Sequence, residues 1–449
     1  MSSKKFSLVI NKPIDNFKKK IVVDSDKSIS IRSFLIGSIS EGISSVKNVL
    51  ESEDVFSTIS CLRKLKVKIL YLGNKTYKIY GRGLGSYAPK NSLKLNFGNS
   101  GTLARLMIGI LASTPNINLK IFGDKSLNKR SMKKLILLMN KFGAGFFPKN
   151  KFYFPLRILS SNYPIGISYK SETSAQLKSA VILAGLNAYG NTQIIEDFKS
   201  RDHTENMLKK NKQTMHISGG LTKKIKIFGK KSLKNFSVKV PGDPSSAAFF
   251  TALTLLKKNS YLKIMNVGLN QTRIGFYSLL KKSGAKIKFI NKRMVNNEKV
   301  GDIIVKSSIL KPINASKKYY LNTTDEYPIL FIISALIKGK STFSGIIDLK
   351  NKESDRIAEM QKILKQIGIY SKYQNDKLII IGKQFKKNKI NRVKVPNLGD
   401  HRICQSTAIL GLLTGLKVEI KNFETVRTSA PSFLKIVKQL GGSFVKKDI

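Results

Sequence analysis

Cysteine and histidine are scarce in this 449-residue chain: Cys61 and Cys404, with His203, His216 and His401, are the whole supply. That excludes a disulfide framework and leaves no Cys/His cluster at metal-ligand spacing, so neither a metal nor another cofactor is expected. A reducing, cytoplasmic setting fits. No apolar run reaches the length of a membrane span. The first residues, Met1 to Phe6, have neither an apolar signal core nor the Arg/Ser-rich character of a transit segment. We therefore expect a cytoplasmic protein with no membrane partner.

Acidic residues are scarce too. There are 27 Asp and Glu against 81 Lys and Arg, a formal net charge of +54. That charge makes nucleic acid the first partner to consider. The lysines are spread along the whole chain, however, and no basic arm, aromatic-interleaved stripe or nucleic-acid motif stands out. The expectation is salt-sensitive attraction to polyanions without a specific nucleic-acid site, and an advantage in capturing anionic small molecules.

What the chain does have is a repeated design, seen best in Gly98-Asn99-Ser100-Gly101-Thr102-Leu103-Ala104-Arg105. A polar, glycine-containing turn runs into an apolar helix. Asn99 or Ser100 caps it, and Gly101 lets a ligand approach the backbone. Free amides and the helix dipole then favour an anion. Similar starts occur near Asp26, Ser174, Asp243, Asp325 and Asp400, at spacings of roughly 69 to 82 residues, which suggests a supersecondary repeat. A second, more polar helix follows each, beginning near Ser52, Leu127, Ser200, Gln271, Lys352 and Arg427. Several of these stop at glycine: Gly143, Gly284, Gly368 and Gly441. With short β-rich runs between them, the unit reads β-α-β-α-β-β, six times. The chain is too long for one core, so the expected architecture is α/β with two domains of three units each.

Ahead of the first repeated helix lie two strands, Phe6 to Ile10 and Lys20 to Val23. In Asp26-Lys27-Ser28-Ile29-Ser30-Ile31-Arg32, Ser28 and Arg32 share a helix face. Lys27 in the first turn opposes the dipole, which points either to a bound anion or to a solvated side chain.

These residues resemble the signatures of the 5-enolpyruvylshikimate-3-phosphate (EPSP) synthases, a family of enolpyruvyl transferases. Gly98 to Thr102 with Arg105 is similar to a second signature. Further matches are Gly123 to Arg130, Ser174 to Ala180, Ser200 to Glu205, Val240 to Ala248, Asp325 to Pro328, Lys352 to Arg356 and Asp400 to Arg402. They span nearly the whole chain in the family's order. Departures are Asp24-Ser25 where Pro-Gly is usual, Ile31 where His is usual, Glu51-Ser52-Glu53-Asp54 for the acidic run, and Thr428, as in another branch of the family.

The resemblance implies an inside-out α/β barrel in each domain, with helix N-termini facing an interdomain cleft. One domain would combine 1–23 with 241–449, and the other would be 24–240. The implied substrates are shikimate 3-phosphate and phosphoenolpyruvate, handled by a monomer without metal or cofactor. By position, Asp325 matches the general base, Glu353 the proton carrier and Lys27 its charge partner. Lys27, Ser28, Arg32, Ser174, Gln176, Ser200, Asp325 and Lys352 match the shikimate 3-phosphate site. Lys27, Asn99, Gly101, Arg130, Gln176, Arg356 and Arg402 match the phosphoenolpyruvate site, where the resemblance also implies that glyphosate competes. From the residues alone, Lys352, Glu353 and Arg356 begin one helix, with Glu353 and Arg356 three apart. Two alternatives stay open. One is a sister transferase acting on UDP-N-acetylglucosamine, which carries a reactive cysteine in its first half, where this chain has only Cys61. The other is an RNA-associated repeat protein.

Overall fold

The computed structural model describes residues 5–90, 92–220, 222–383 and 392–448. Its contacts separate two compact units: Ser25–Val240 with Met294–Glu298, and Met1–Asp24 with Pro241–Arg293 and Lys299–Ile449. Each has its own hydrophobic core.

In the inserted unit the helices are α1 (Lys27–Ile39), α2 (Glu53–Lys64), α3 (Gly101–Ser113), α4 (Lys133–Lys141), α5 (Ala175–Gly185) and α6 (His203–Leu208). The odd-numbered ones are buried all round. Every residue from Ile29 to Ile39 in α1 and from Leu177 to Gly185 in α5 is buried. A helix apolar on every face belongs inside a protein. The helices α3 and α5 pack so closely that a Cβ on Gly109 would stand 2.5 Å from the Ala180 carbonyl oxygen. The helices α2 and α4 bury only one face.

Among the described residues, three four-stranded sheets complete the unit. One orders Lys94–Asn96, Asn118–Phe122, Leu156–Leu159 and Gly145–Phe147, with the first pair parallel and the others antiparallel. Leu119 and Ile121 point inward and Lys120 outward, the alternation of a half-buried sheet. The sheet containing Ile43–Lys47 takes its first strand, Ser237–Lys239, from the far end of the insert.

The discontinuous unit repeats the plan with α7 (Pro244–Leu256), α8 (Gly275–Lys282), the short α9 (Tyr320–Thr323), α10 (Tyr327–Leu336), α11 (Arg356–Gln366), α12 (His401–Thr414) and α13 (Phe433–Gln439). Its buried helices are α7, α10 and α12. The two N-terminal strands enter different sheets. Lys18–Val22 pairs in parallel with Tyr261–Met265, and Phe6–Ile10 lies between Lys417–Ile420 and Val445–Asp448, antiparallel to both.

Of the second helices, α2 starts at Glu53, next to the expected Ser52, and the others begin later than the residue pattern suggests. Leu127–Lys129 forms a 3₁₀ turn and α4 waits until Lys133; α6 begins at His203, α8 at Gly275 and α13 at Phe433. Between Ile347 and Asn351 the chain makes another 3₁₀ turn, and α11 starts at Arg356, capped by the Asp355 carboxylate on the amides of Ile357 and Ala358. Lys352 and Glu353 therefore precede the helix, which corrects the expectation that they begin it.

Candidate active site

In the inserted unit three buried helices start on capped, polar turns. Asp26 Oδ1 accepts from Ile29 N at 2.9 Å, Ser100 Oγ from Leu103 N at 3.2 Å and Ser174 Oγ from Leu177 N at 3.3 Å. Ser100 is thus the cap of α3. Asn99 does something else, its side-chain oxygen accepting from Arg130 Nη2, which also donates to Ser126 Oγ at 3.2 Å. Gly98 turns the chain into α3 with φ +58, in the left-handed region that favours glycine. Gln176 on α5 donates to Thr102 Oγ1 on α3 at 2.9 Å, tying two of the helix starts together.

At the start of α1, Lys27 is half-buried and its Nζ lies 3.0 Å from Asp54 on α2. A carboxylate from the neighbouring helix thus offsets a lysine that opposes the α1 dipole. Ser28 is half-buried, and its carbonyl accepts from Arg32 Nη1 at 3.1 Å. Arg32 itself is buried. Its Nε donates to Thr204 Oγ1 at 2.9 Å and its Nη2 to Ser179 Oγ at 3.2 Å. Ser200 is buried, and its amide and hydroxyl both donate to Glu196 Oε1, at 3.0 and 2.7 Å. His203 is held by Glu298 at 2.8 Å.

The discontinuous unit carries the carboxylates. Arg356 is 1% exposed and forms a hub. Its Nε lies 2.9 Å from Asp400 Oδ2, its Nη2 2.6 Å from Glu353 Oε2, and its Nη1 3.8 Å from Asp325 Oδ1. Burial alone would disfavour the charge, but Asp400 and then Glu353 raise the guanidinium pKa above its ordinary value. Asp400 also caps α12, accepting from Arg402 N at 2.9 Å, and so links the two arginines. Arg402 is buried, with its guanidinium carbon 5.8 Å from the centre of the Phe249 ring. Lys352 is half-buried, with its Nζ 6.0 Å from the Tyr320 ring centre. Arg356 Nη1 and Arg402 Nε and Nη1 have no hydrogen-bond partner among the described residues.

The sequence carries no local pattern that marks these partners. Asp54 and Asp400 lie inside motifs that the family shares, but their grip on Lys27 and Arg356 comes from tertiary packing. Lys178 sits within an apolar helix and Glu196 ends a strand, places where no local pattern marks a functional group. Ser245 donates to the buried Glu326 and accepts from Arg273 Nη2 at 3.0 Å, a further polar cluster beneath the helix starts.

Cys61 is buried on α2, its thiol donating to the Asn96 carbonyl at 3.2 Å. Burial pushes its pKa up to about 12, the opposite of a reactive thiol. Among the described residues no group of three or more His, Cys, Asp or Glu is arranged to hold a metal ion, and no helix is long and apolar enough to cross a membrane.

A solved enolpyruvyl transferase, NikO from Streptomyces tendae, shares the fold at 12% identity, with a TM-score of 0.77 over 99% of this chain and all of that one. An EPSP synthase from Acinetobacter baumannii superposes with a TM-score of 0.84 at 34% identity, covering 99% of this chain and 100% of its own. The architecture is that of the enolpyruvyl transferases. Residues 11–437 match the EPSP synthase (3-phosphoshikimate 1-carboxyvinyltransferase) family. The 3-phosphoshikimate 1-carboxyvinyltransferase of Petrotoga mobilis is 41% identical over 436 residues, which is 95% of this chain and 98% of that one. That of Zymomonas mobilis is 39% identical over 430 residues, 95% of this chain and 94% of its own.

The chain belongs to the EPSP synthase family. It transfers the enolpyruvyl group of phosphoenolpyruvate to the 5-hydroxyl of shikimate 3-phosphate and releases phosphate, a step in aromatic amino-acid synthesis.

Proposed function

We propose that the residues singled out above carry this transfer. Asp325 takes the proton of the 5-hydroxyl as the oxygen attacks C2 of phosphoenolpyruvate. Glu353, with Lys27 balancing charge, delivers a proton to C3. The tetrahedral adduct then returns the C3 proton to Glu353 and expels phosphate, which leaves with the proton first taken from the hydroxyl.

Arg130, Arg356 and Arg402 clamp phosphoenolpyruvate, helped by Lys27, Asn99, Gly101 and Gln176. Lys27, Ser28, Arg32, Ser174, Gln176, Ser200, Asp325 and Lys352 hold shikimate 3-phosphate. The enzyme works as a cytoplasmic monomer, with domains of 1–23 plus 241–449 and of 24–240.

The observation that carries this reading is the condition of the buried arginines. Arg356 is fixed on one side by Asp400 and Glu353, while its Nη1, with Arg402 Nε and Nη1, lacks a hydrogen-bond partner among the described residues. Buried donors are costly to leave unmatched, and the oxygens of a carboxylate or phosphate suit a guanidinium. Asp325 and Glu353, both ion-paired to the same guanidinium, put two carboxylates around one cation.

The test is steady-state kinetics of Asp325→Asn and Glu353→Gln. Each lowers kcat about a hundredfold or more, with smaller effects on KM. Near-normal turnover in either variant removes that residue from its role.

A further inference from the structure

Lys178 is an unusual occupant of α5. It lies among Leu177, Ala180, Val181 and Ile182 and is fully buried. Its Nζ is 2.7 Å from Glu196 Oε1 and 2.7 Å from Glu205 Oε1, and both carboxylates are buried as well. Lys223 approaches Glu205 to 3.5 Å, so two cations face two carboxylates. Burial works against the charge on Lys178, but Glu205 and Glu196 outweigh it and raise the ammonium pKa. Burial likewise works against the charge on Glu205, and Lys178 and then Lys223 outweigh it and lower that pKa.

A buried ion cluster of this kind is a weak source of stability, because well-packed apolar residues often serve as well. Its geometry offers another use. Glu196 Oε1, the atom that meets Lys178, also accepts both hydrogens that Ser200 can give, from the amide and from the hydroxyl. A few residues on, Thr204 Oγ1 donates to Ser179 Oγ at 2.8 Å and accepts from Arg32 Nε, and Glu205 returns to Lys178. Glu205 thus ties one end of the 200–205 segment to α5 directly, and Ser200 ties the other through Glu196 and Lys178; the start of α5 carries Gln176 and, as its cap, Ser174.

We infer that Glu196, neutralised by Lys178, is a positioning residue that holds Ser200 for the 3-phosphate of shikimate 3-phosphate. The inference rests on the phosphate-binding role proposed above for Ser200. A phosphate oxygen takes the hydroxyl hydrogen in place of Glu196, while Glu196 keeps the amide hydrogen and with it the backbone position. Without Lys178 the carboxylate would repel the arriving phosphate. With it, the segment is held by these contacts and the carboxylate is paired before the substrate arrives.

The experiment is a calorimetric titration of the full-length protein with shikimate 3-phosphate, in a cycle of four forms: unaltered, Ser200→Ala, Lys178→Met/Glu196→Leu, and the combination. Ser200→Ala weakens binding about tenfold and the paired variant weakens it about equally. The combination is no weaker than either, because Glu196 acts through Ser200. In the paired variant the KM for phosphoenolpyruvate and the kcat at saturating shikimate 3-phosphate change less than about threefold.

Additive losses in the combination overturn the inference, as does a KM for phosphoenolpyruvate that rises with that for shikimate 3-phosphate. If Ser200→Ala weakens binding and the paired variant does not, the inference alone fails. If Ser200→Ala leaves affinity unchanged, the role of Ser200 fails and the inference with it. Should the paired variant not fold, Glu196→Ala alone, which removes the acceptor while Glu205 still pairs with Lys178, takes its place in the cycle with the same outcomes.

Discussion

Arg356 reads differently in the sequence and in the fold. The sequence offers an Arg three residues after a Glu, a spacing that usually marks a surface ion pair. In the fold the guanidinium is buried, and Asp400, 44 residues away, takes its Nε. A lysine there cannot reproduce the fork geometry. Arg356→Lys is expected to raise the KM for phosphoenolpyruvate about tenfold or more and to lower kcat, because Glu353 loses its fixed partner; steady-state kinetics check this. Gly101 poses a milder problem. A Cβ there would stand 2.7 Å from Arg105 Nη1 and 3.3 Å from Arg130 Nη1, both the ends of flexible side chains. The methyl therefore displaces the end of Arg105 and crowds Arg130, a proposed substrate clamp, rather than moving the backbone. Glyphosate is longer than phosphoenolpyruvate, so Gly101→Ala should raise its inhibition constant more than the Michaelis constant, by roughly tenfold to a hundredfold. Inhibition measured at several phosphoenolpyruvate concentrations decides, and an unmodified enzyme that already resists millimolar glyphosate would contradict it. The Lys178 cluster sets a pH dependence. Glu205 has a lowered pKa in the fold, so its contribution is present above the ordinary carboxylate range and is lost as pH falls through the lowered value. Lys178 has a raised pKa, so its contribution holds below the ordinary lysine range and is lost as pH rises through the raised value. Urea midpoints of Glu205→Gln against pH should show a flatter acid limb than the unaltered protein.

The buried helices were the most legible elements, because a capped polar start followed by residues apolar on every face has few other uses. Asp26, Ser100, Ser174, Asp243 and Asp400 all cap as side-chain acceptors. Asp26→Ala should cost about 1 kcal/mol in denaturant unfolding through loss of the cap. Gly109→Ala tests packing instead of capping. Its methyl would meet the Ala180 carbonyl at 2.5 Å, and such overpacking costs about 1–3 kcal/mol. The second helices were less legible. Their first residues carry helix-compatible side chains, but Leu127–Lys129 and Phe423–Thr428 tighten into 3₁₀ turns instead, a choice that local propensity hardly distinguishes. The three-residue strand Ser237–Lys239 exists through its pairing with Ser45–Lys47 nearly two hundred residues earlier, and so short a strand has little propensity of its own. Lys178 was illegible for a similar reason. A lysine in an apolar helix suggests a side chain reaching for water, and only the fold brings Glu196 and Glu205 to it.

At the scale of the molecule, the six repeats were readable from spacing and the family from motifs that run through the whole chain, whereas no residue pattern announced which sheets the N-terminal strands would join. The net charge of +54 fits anionic substrates, which gain from a positive field at low ionic strength. The KM values for both substrates should rise with added salt while kcat changes less, since screening acts on capture before it acts on chemistry. Initial rates across a salt series check this. The most direct test of the whole account is phosphate release by the purified protein. Phosphoenolpyruvate with shikimate 3-phosphate should yield phosphate continuously, phosphoenolpyruvate with UDP-N-acetylglucosamine should yield none, and Asp325→Asn should abolish most of the first signal. Absence of release with shikimate 3-phosphate, or release with UDP-N-acetylglucosamine at a comparable rate, would contradict it.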